Sequence, residues 1–326
     1  MLHTLDVPPE ATDTRLDVWL ESVLDGCTRS LVARLIRDGL CTVEGPANPR
    51  GERRETRAKP GLFLRGGERV SLEVPEIEPM SAEPENLPLT ILHQDDHLIV
   101  VDKAPGMVVH PAIGHPKGTL VNALLGRFGA TFAGEAWRPG LVHRLDEATS
   151  GVIVVARTPA ALLFLQTAFK ERDVTKRYLA LAAGSPRADW LEHGGAIGRH
   201  PHDFRKRAVL PDGAEGAKEA YTSIVVRHRA DCYAVVEARP RTGRTHQIRV
   251  HLAALGHPAL ADATYGRSDR WPLNATDGDA RALRRHALHA WSLDIPHPAG
   301  GRLKLLAPIP ADLAPWVPAG LAPTAV

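Results

Sequence analysis

Nine residues, HRLDEATSG from His143 to Gly151, run directly into the apolar stretch VIVVA. This junction constrains the chain more than any other segment, because a Thr-Ser-Gly turn delivers the backbone into a strand-sized apolar run. Asp146 stands in that turn, two positions after Arg144. A carboxylate held at the mouth of a sheet can point into a cleft, and a close guanidinium opposes its protonation by about 1–3 pKa units. Such an acid suits a nucleophile or a base. An Asp before Thr-Ser-Gly also commonly does no more than satisfy the amides of its own turn. The turn by itself leaves both roles open.

The first seventy-odd residues read as a separate small unit. TRLDVWLESVL from Thr14 predicts a short helix and TRSLVARLIRD from Thr28 a second, with Thr28 or Ser30 as its cap. On a helical wheel Leu31, Val32, Leu35 and Ile36 share one arc, and Arg29, Arg34 and Arg37 the opposite one. One face packs and the other is cationic. A short strand at Cys41 follows, then a hairpin-like pair around 62–64 and 69–74, with Arg50, Arg53, Arg54, Arg57 and Lys59 in the connecting loop. The Pro- and Glu-rich stretch that comes next has no sustained period and reads as an extended linker. The expected organisation is a small α/β domain over residues 1–76, a linker over 77–90 and a large domain over 91–326.

In the large domain the pattern predicts a strand at HLIVVDK, a helix over about 119–128, the HRLD turn with its strand, and a helix over 159–170. Leu162, Leu165, Ala168 and Phe169 share a face of that second helix, which should therefore lie on the sheet. Strands near 177–183, 220–228 and 232–238 and a helix over 245–255 complete an α+β domain with a mixed, largely antiparallel sheet. The tail APTAV reads as disordered.

Five segments occur in order between about Gln94 and Pro298: QDDHLIVVDKAPGMVVHPA, HRLDEATSG, KRYLALAAG, RTGRTHQIRVHLAALGHPALADATYG and HALHAWSLDIPHP. Together they resemble the RluA-type pseudouridine synthases, enzymes that isomerise selected uridines in RNA. The resemblance implies a pseudouridine synthase fold with no cofactor, since the reaction neither oxidises nor removes anything. It implies that Asp146 is the catalytic carboxylate and that Arg144 fills the space left by the flipped uridine. It also implies that Tyr178 stacks on the uracil and that Arg249 pairs with the catalytic carboxylate. Arg244 and His246 are expected to brace their loop by hydrogen bonds. Two departures stand out: Ala261 where the family usually has Gly, and Asp102 in place of a common Asn. The first matters only if the backbone there needs positive φ, and a small adjustment is expected.

The N-terminal pattern, RLD-x-x-L, a hydroxyl residue and Arg, then L-I-R-x-G, resembles the RNA-binding module of ribosomal small-subunit protein four and several tRNA-handling enzymes. Here CTVEG replaces the usual VNG ending. The resemblance makes Arg29, Arg34, Arg37, Arg53 and Arg54 candidate RNA contacts. Appended to a synthase, the module favours ribosomal RNA as substrate, with transfer RNA as the alternative and a noncatalytic RNA-binding protein as a further reading.

Composition bears on partners rather than fold. A net charge of +2 does not advertise nucleic acid, although Arg outnumbers Lys by about four to one and guanidinium forks match phosphate oxygens. Three widely separated cysteines, Cys27, Cys41 and Cys232, provide neither a disulfide framework nor a four-cysteine zinc site. With no secretory pattern at MLHTLDVPPEATDTR and no apolar run long enough to span a bilayer, a cytoplasmic monomer free of membranes is expected. Sixteen histidines invite a metal-dependent hydrolase as a rival. HPH at 200–202 and HALH at 286–289 are the tight clusters, but HExxH is absent and no nearby carboxylate completes a ligand set, so no metal is expected.

Overall fold

A computed structural model describes residues 2–24, 27, 29–48, 50–74, 82–112, 115–129, 132, 139–203, 205–266 and 283–321. The chain divides into two compact units, Met1–Pro79 and Met80–Val326. Thr28, the Ser30 side chain, residues 77–81 of the expected linker and the APTAV tail lie outside the described residues.

The first unit contains β1 (Leu2–Asp6), α1 (Leu16–Val23), α2 (Arg29–Arg37), β2 (Cys41–Glu44), β3 (Glu55–Thr56) and β4 (Arg69–Glu73), with its strands in the antiparallel order β1-β4-β2-β3. Val32, Leu35 and Ile36 of α2 are buried against Leu16, Leu20, Val43 and Val70, while Arg34 and Arg37 are exposed. The hairpin expected between 62–64 and 69–74 does not form. β4 instead pairs with β1, placing Leu2 opposite Glu73, and on its other side with β2. Leu64 is buried, but the backbone around it bonds to the approach to α1, with Leu16 N donating to Leu62 O and Leu64 N to Thr14 O. The true partner strand starts at residue 2, too distant to leave a local pattern.

The second unit contains β5 (Thr90–Gln94), β6 (Leu98–Lys103), α3 (Leu120–Phe128), β7 (Ser150–Ala156), α4 (Pro159–Glu171), β8 (Thr175–Ala183), β9 (Trp190–Arg199), β10 (Arg207–Leu210), β11 (Lys218–Arg229), β12 (Tyr233–Pro240), α5 (Gln247–Ala254), β13 (Leu288–Pro296) and β14 (Arg302–Leu306). The sheet runs β10-β9-β11-β12-β8-β13-β7-β6-β5, with β14 also on β13. Its one parallel pairing among the described residues is β7 with β13.

Every residue of β7 is buried because both faces of the sheet are covered there. Ile153 and Val155 pack with Leu120, Val121 and Leu124 of α3, whereas Val152 and Val154 pack with Ala161 and Leu165 of α4. This explains why VIVVA does not alternate. Each such side chain contributes about 1.5–3 kcal/mol by leaving water. Gly151, the last residue of the signature, has φ +114°, and a Cβ there would lie 2.1 Å from the Ala290 carbonyl oxygen of β13. Only glycine allows the two strands to meet at this point.

Residues 82–90 of the expected linker are extended but docked rather than loose. Ala82 is buried beside α3, Asn122 Nδ2 donates to Glu83 O, and Glu85 N donates to Asn122 O. Gly126 of α3 makes room for it, since a Cβ would meet Glu85 O at 2.1 Å.

Candidate active site

The signature turn is held by hydrogen bonds from several separate segments of the chain. Thr149 N donates to Asp146 O, closing the turn. Glu147 O accepts from Gly106 N and from the buried Lys103 Nζ, whose other two protons go to Ala104 O and Met107 O. Burial, reinforced by Arg285, lowers the Lys103 pKa to about 7 against the pull of Asp146 and Glu147. Arg285 Nη1 donates to Ala148 O, and its fork holds Asp312. Thr149 Oγ1 bonds His286 Nε2 at 2.8 Å, and Ser150 Oγ bonds His289 Nδ1 at 2.9 Å. Burial holds both histidines down at about 4, so they are neutral near pH 7. His143, stacked on Phe169, accepts from Val154 N and ties the approach of the turn to β7.

This frame aims Asp146 into a cleft of about 530 Å³, lined among others by Arg144, Asp146, Lys176, Tyr178, Arg244 and Arg249. The Asp146 side chain is 18% exposed, and Arg249 Nη1 reaches its Oδ2 at 3.2 Å. Arg249 itself is buried at the start of α5. It grips Asp262 with a two-pronged fork, Nε to Oδ2 at 2.7 Å and Nη2 to Oδ1 at 2.8 Å. Asp262 is fully buried and also accepts from the amides of Thr264 and Tyr265. Burial works against the charge on Arg249, but the two carboxylates outweigh it and raise its pKa above the ordinary value. Asp262 therefore fixes the guanidinium, and the remaining nitrogen is presented to Asp146.

Arg144 does not pair with Asp146. Between the two, Leu145 turns into the core, while Arg144 projects into solvent at the rim of the cleft. Sequence adjacency in a turn does not place two side chains together, and the cation that meets Asp146 comes from a helix beginning a hundred residues later.

Tyr178 also lines the cleft, from β8, where it is paired with Ala238 of β12. Burial pushes its phenol pKa up and the nearby Asp146 charge adds to this, so the ring is neutral. Two residues earlier, Lys176 Nζ donates to Thr242 O and anchors the loop before α5. That loop is braced as expected: Arg244 Nε donates to Glu219 O, and His246 Nδ1 pairs with the Tyr265 hydroxyl at 2.8 Å. His246 is at φ +59°, a conformation costly for a residue with a Cβ, and it turns the chain into α5.

A family model described as RNA pseudouridylate synthase matches residues 97–254, which include the signature turn, Tyr178 and Arg249. A ribosomal large subunit pseudouridine synthase D from Xanthomonas campestris is 41% identical over 94% of this chain and 89% of its own. One from Haemophilus ducreyi is 36% identical over 98% of this chain and 94% of its own. The solved human RNA pseudouridylate synthase domain containing 1 superposes with a TM-score of 0.55 at 32% identity, covering 69% of this chain and 85% of that one. The chain belongs to the RNA pseudouridylate synthase family.

In this synthase the N-terminal arginines fall into two groups. Arg29 Nε donates to the buried Asp17, which also accepts a fork from Arg15, and Arg53 Nη1 donates to Gly45 O and Gly67 O. Arg34, Arg37 and Arg54 are exposed. The wheel read Arg29 as part of the outer face, but it could not reveal the acidic partner on the neighbouring helix.

Sequence reasoning also missed the roles of Asp262, Lys103, Arg285 and His286, all of which support the turn from outside its own segment. The described histidines approach a ligand cluster at one place, where His93 and His297 both meet Asp95 Oδ2, at 2.7 and 2.9 Å. His297 Nδ1 accepts from Ala299 N, which puts the ring proton on Nε2 and makes that nitrogen a donor to Asp95. None of the three lines the cleft.

Proposed function

We propose that this synthase isomerises specific uridines of large-subunit ribosomal RNA, acting as a cytoplasmic monomer without a cofactor. The reaction breaks the carbon–nitrogen bond between ribose and uracil, rotates the base and rejoins it through carbon 5. Base and sugar leave with the atoms they brought. The target must first be turned out of its stack, which costs a few kcal/mol.

Asp146 acts on the flipped nucleotide, either as a nucleophile or as the base that removes a sugar proton. Both roles need an ionised oxygen open to the cleft, and the single observation that carries the reading is the partly exposed carboxylate held by Arg249 at 3.2 Å. Tyr178 stacks on the uracil, at about 1–3 kcal/mol for a base on an aromatic ring, comparable with the flipping cost. Arg144, exposed at the rim, fills the gap left in the RNA. Arg34, Arg37 and Arg54 bind phosphates, and Arg29 and Arg53 shape the surface that carries them. The names of the Xanthomonas and Haemophilus relatives favour the large ribosomal subunit.

Asp146→Asn is the direct test. Pseudouridine formation in ribosomal RNA should fall by about 10⁴-fold while RNA binding persists. A pseudouridine map of ribosomal and transfer RNA from cells with and without the gene identifies the substrate, and undiminished turnover by the Asn variant would remove Asp146 from the chemistry.

A further inference from the structure

A strip of aromatic and charged side chains runs from the cleft across the outer strands of the catalytic sheet. Arg241, which lines the cleft and is exposed, places its guanidinium carbon 4.4 Å from the ring centre of Tyr221 on β11. The Tyr221 ring lies over Gly194 of β9, where a Cβ would stand 3.6 Å from Cδ2. Its hydroxyl donates to Glu192, and the same carboxylate accepts from Trp190 Nε1 at 3.0 Å. Register places these groups on one face: Tyr221 is opposite Gly194, and Glu192 and Trp190 are two and four residues back along β9. Leu191 and Ile224 occupy the other face, where they pack with Ile248 and Leu252 of α5.

Trp190 is 49% exposed, one of the few large apolar side chains the described residues leave in solvent. A tryptophan on a sheet surface would ordinarily turn flat against its neighbours or be covered. Here its indole N–H is pinned to Glu192, whose negative charge is offset by Arg241, so the ring is held in place and still open. A fixed, exposed indole beside a half-buried tyrosine capped by an exposed guanidinium suits the faces of unpaired bases, because stacking needs no sequence and a preset ring loses little rotamer freedom on binding.

We propose that Trp190, Tyr221 and Arg241 form a stacking platform for the unpaired RNA strand that continues from the flipped uridine. The proposal rests on the uridine-isomerising reading of the cleft, because Arg241 belongs to both and makes the strip continuous with it. Glu192 is the clip that orients the rings and touches no base. Its carboxylate also disfavours a bare phosphate at the centre of the strip, so bases rather than backbone lie there.

The test compares full-length wild type, Trp190→Ala and Trp190→Phe on transcribed large-subunit ribosomal RNA, with KM and kcat measured separately. Trp190→Ala should raise KM by about 5- to 150-fold, which is about 1–3 kcal/mol at 1.36 kcal/mol per decade. Its kcat should be unchanged, because the chemistry lies at Asp146. Trp190→Phe keeps a ring while losing the N–H, and should recover most of the affinity. Ultraviolet irradiation of the wild-type complex should crosslink RNA to the peptide bearing Trp190. A wild-type KM in the Ala variant, or a raised KM that Phe does not restore, would overturn the platform. Failure of wild-type protein to make pseudouridine would instead strike the reading of the cleft.

Discussion

Two arginine–carboxylate clusters, one in each unit, are built with opposite stoichiometry. In the N-terminal unit one buried carboxylate, Asp17, is served by two arginines, Arg15 and Arg29, whose side chains are 43% and 42% exposed. In the catalytic unit one buried arginine, Arg249, 6% exposed, is shared by two carboxylates, Asp262 and Asp146. The first arrangement saturates the acid and leaves surplus positive charge at the surface. The second saturates the base and leaves an acid with a single long contact, facing a cleft. The surplus of cation gives the first cluster a basic exterior; the surplus of anion in the second leaves one carboxylate open to the cleft.

Removing the shared cation should have the largest effect on this contrast. Arg249→Met leaves Asp146 and Asp262 uncompensated, at about 3–5 kcal/mol of stability for a broken buried pair and about 10²–10³ in kcat. Thermal unfolding and single-turnover rates read the two effects, and a variant with wild-type kcat would show that Asp146 needs no partner. Asp17→Asn should do the reverse, loosening the N-terminal unit by about 1–3 kcal/mol while sparing the chemical step. Burial pushes Asp17 upward, but its guanidinium bonds outweigh this and hold its pKa below the ordinary value. Its contribution is therefore present above the usual carboxylate pKa of about 3.9 and is lost as pH falls through the lower folded value. Limited proteolysis of residues 1–74 against pH follows it, and loss of kcat would break the division of labour.

The comparison sharpens with a cation that can titrate. Burial, with help from Arg172 and Arg244, lowers the Lys176 pKa to about 8, so its charge in the cleft wall disappears as pH rises through that value, whereas Arg249 stays charged. RNA affinity should fall severalfold between pH 7 and 9 in the wild type, since the cleft wall loses a cation and the loop before α5 loses the charge on its anchor to Thr242 O. Lys176→Met should be weak at both pH values, and an unaltered pH dependence would clear Lys176. The smallest effect concerns Ala261, the neighbour of Asp262, which is buried at φ +56°. The family's usual Gly is thus replaced where the backbone does need positive φ. Ala261→Gly should raise stability by about 0.5–1 kcal/mol and Tm by about 2 °C. A fall in Tm would mean that the methyl packs for more than the strain costs.

What could be read from the chain in advance was local. The two helices of the first unit, the strand after the signature, the helix expected over about 119–128 and the buried face of α4 each follow from a few consecutive residues. So did the bracing by Arg244 and His246, and the family likeness linked Asp146 to Arg249. What could not be read joins distant segments. Arg144 is nearer to Asp146 in sequence, but a turn sends their side chains apart. Arg29 looked like a free cation because its acid lies on the preceding helix. Strands β9, β10, β13 and β14 were not read as strands. β9 contains the pair Gly194–Gly195, which weakens a strand pattern. The docking of residues 82–90 on α3 depends on Gly126, which is invisible as a contact until the helix exists.

The meeting of Gly151 with the Ala290 carbonyl has a consequence for biosynthesis. β13 follows α5 in the chain, yet it lies between β7 and β8, in the middle of the sheet. A nascent polypeptide that has emerged only as far as α5 already carries Asp146, Tyr178 and Arg249 but lacks the strand that separates and aligns their supports. Competence thus waits on the ribosome until β13 has emerged.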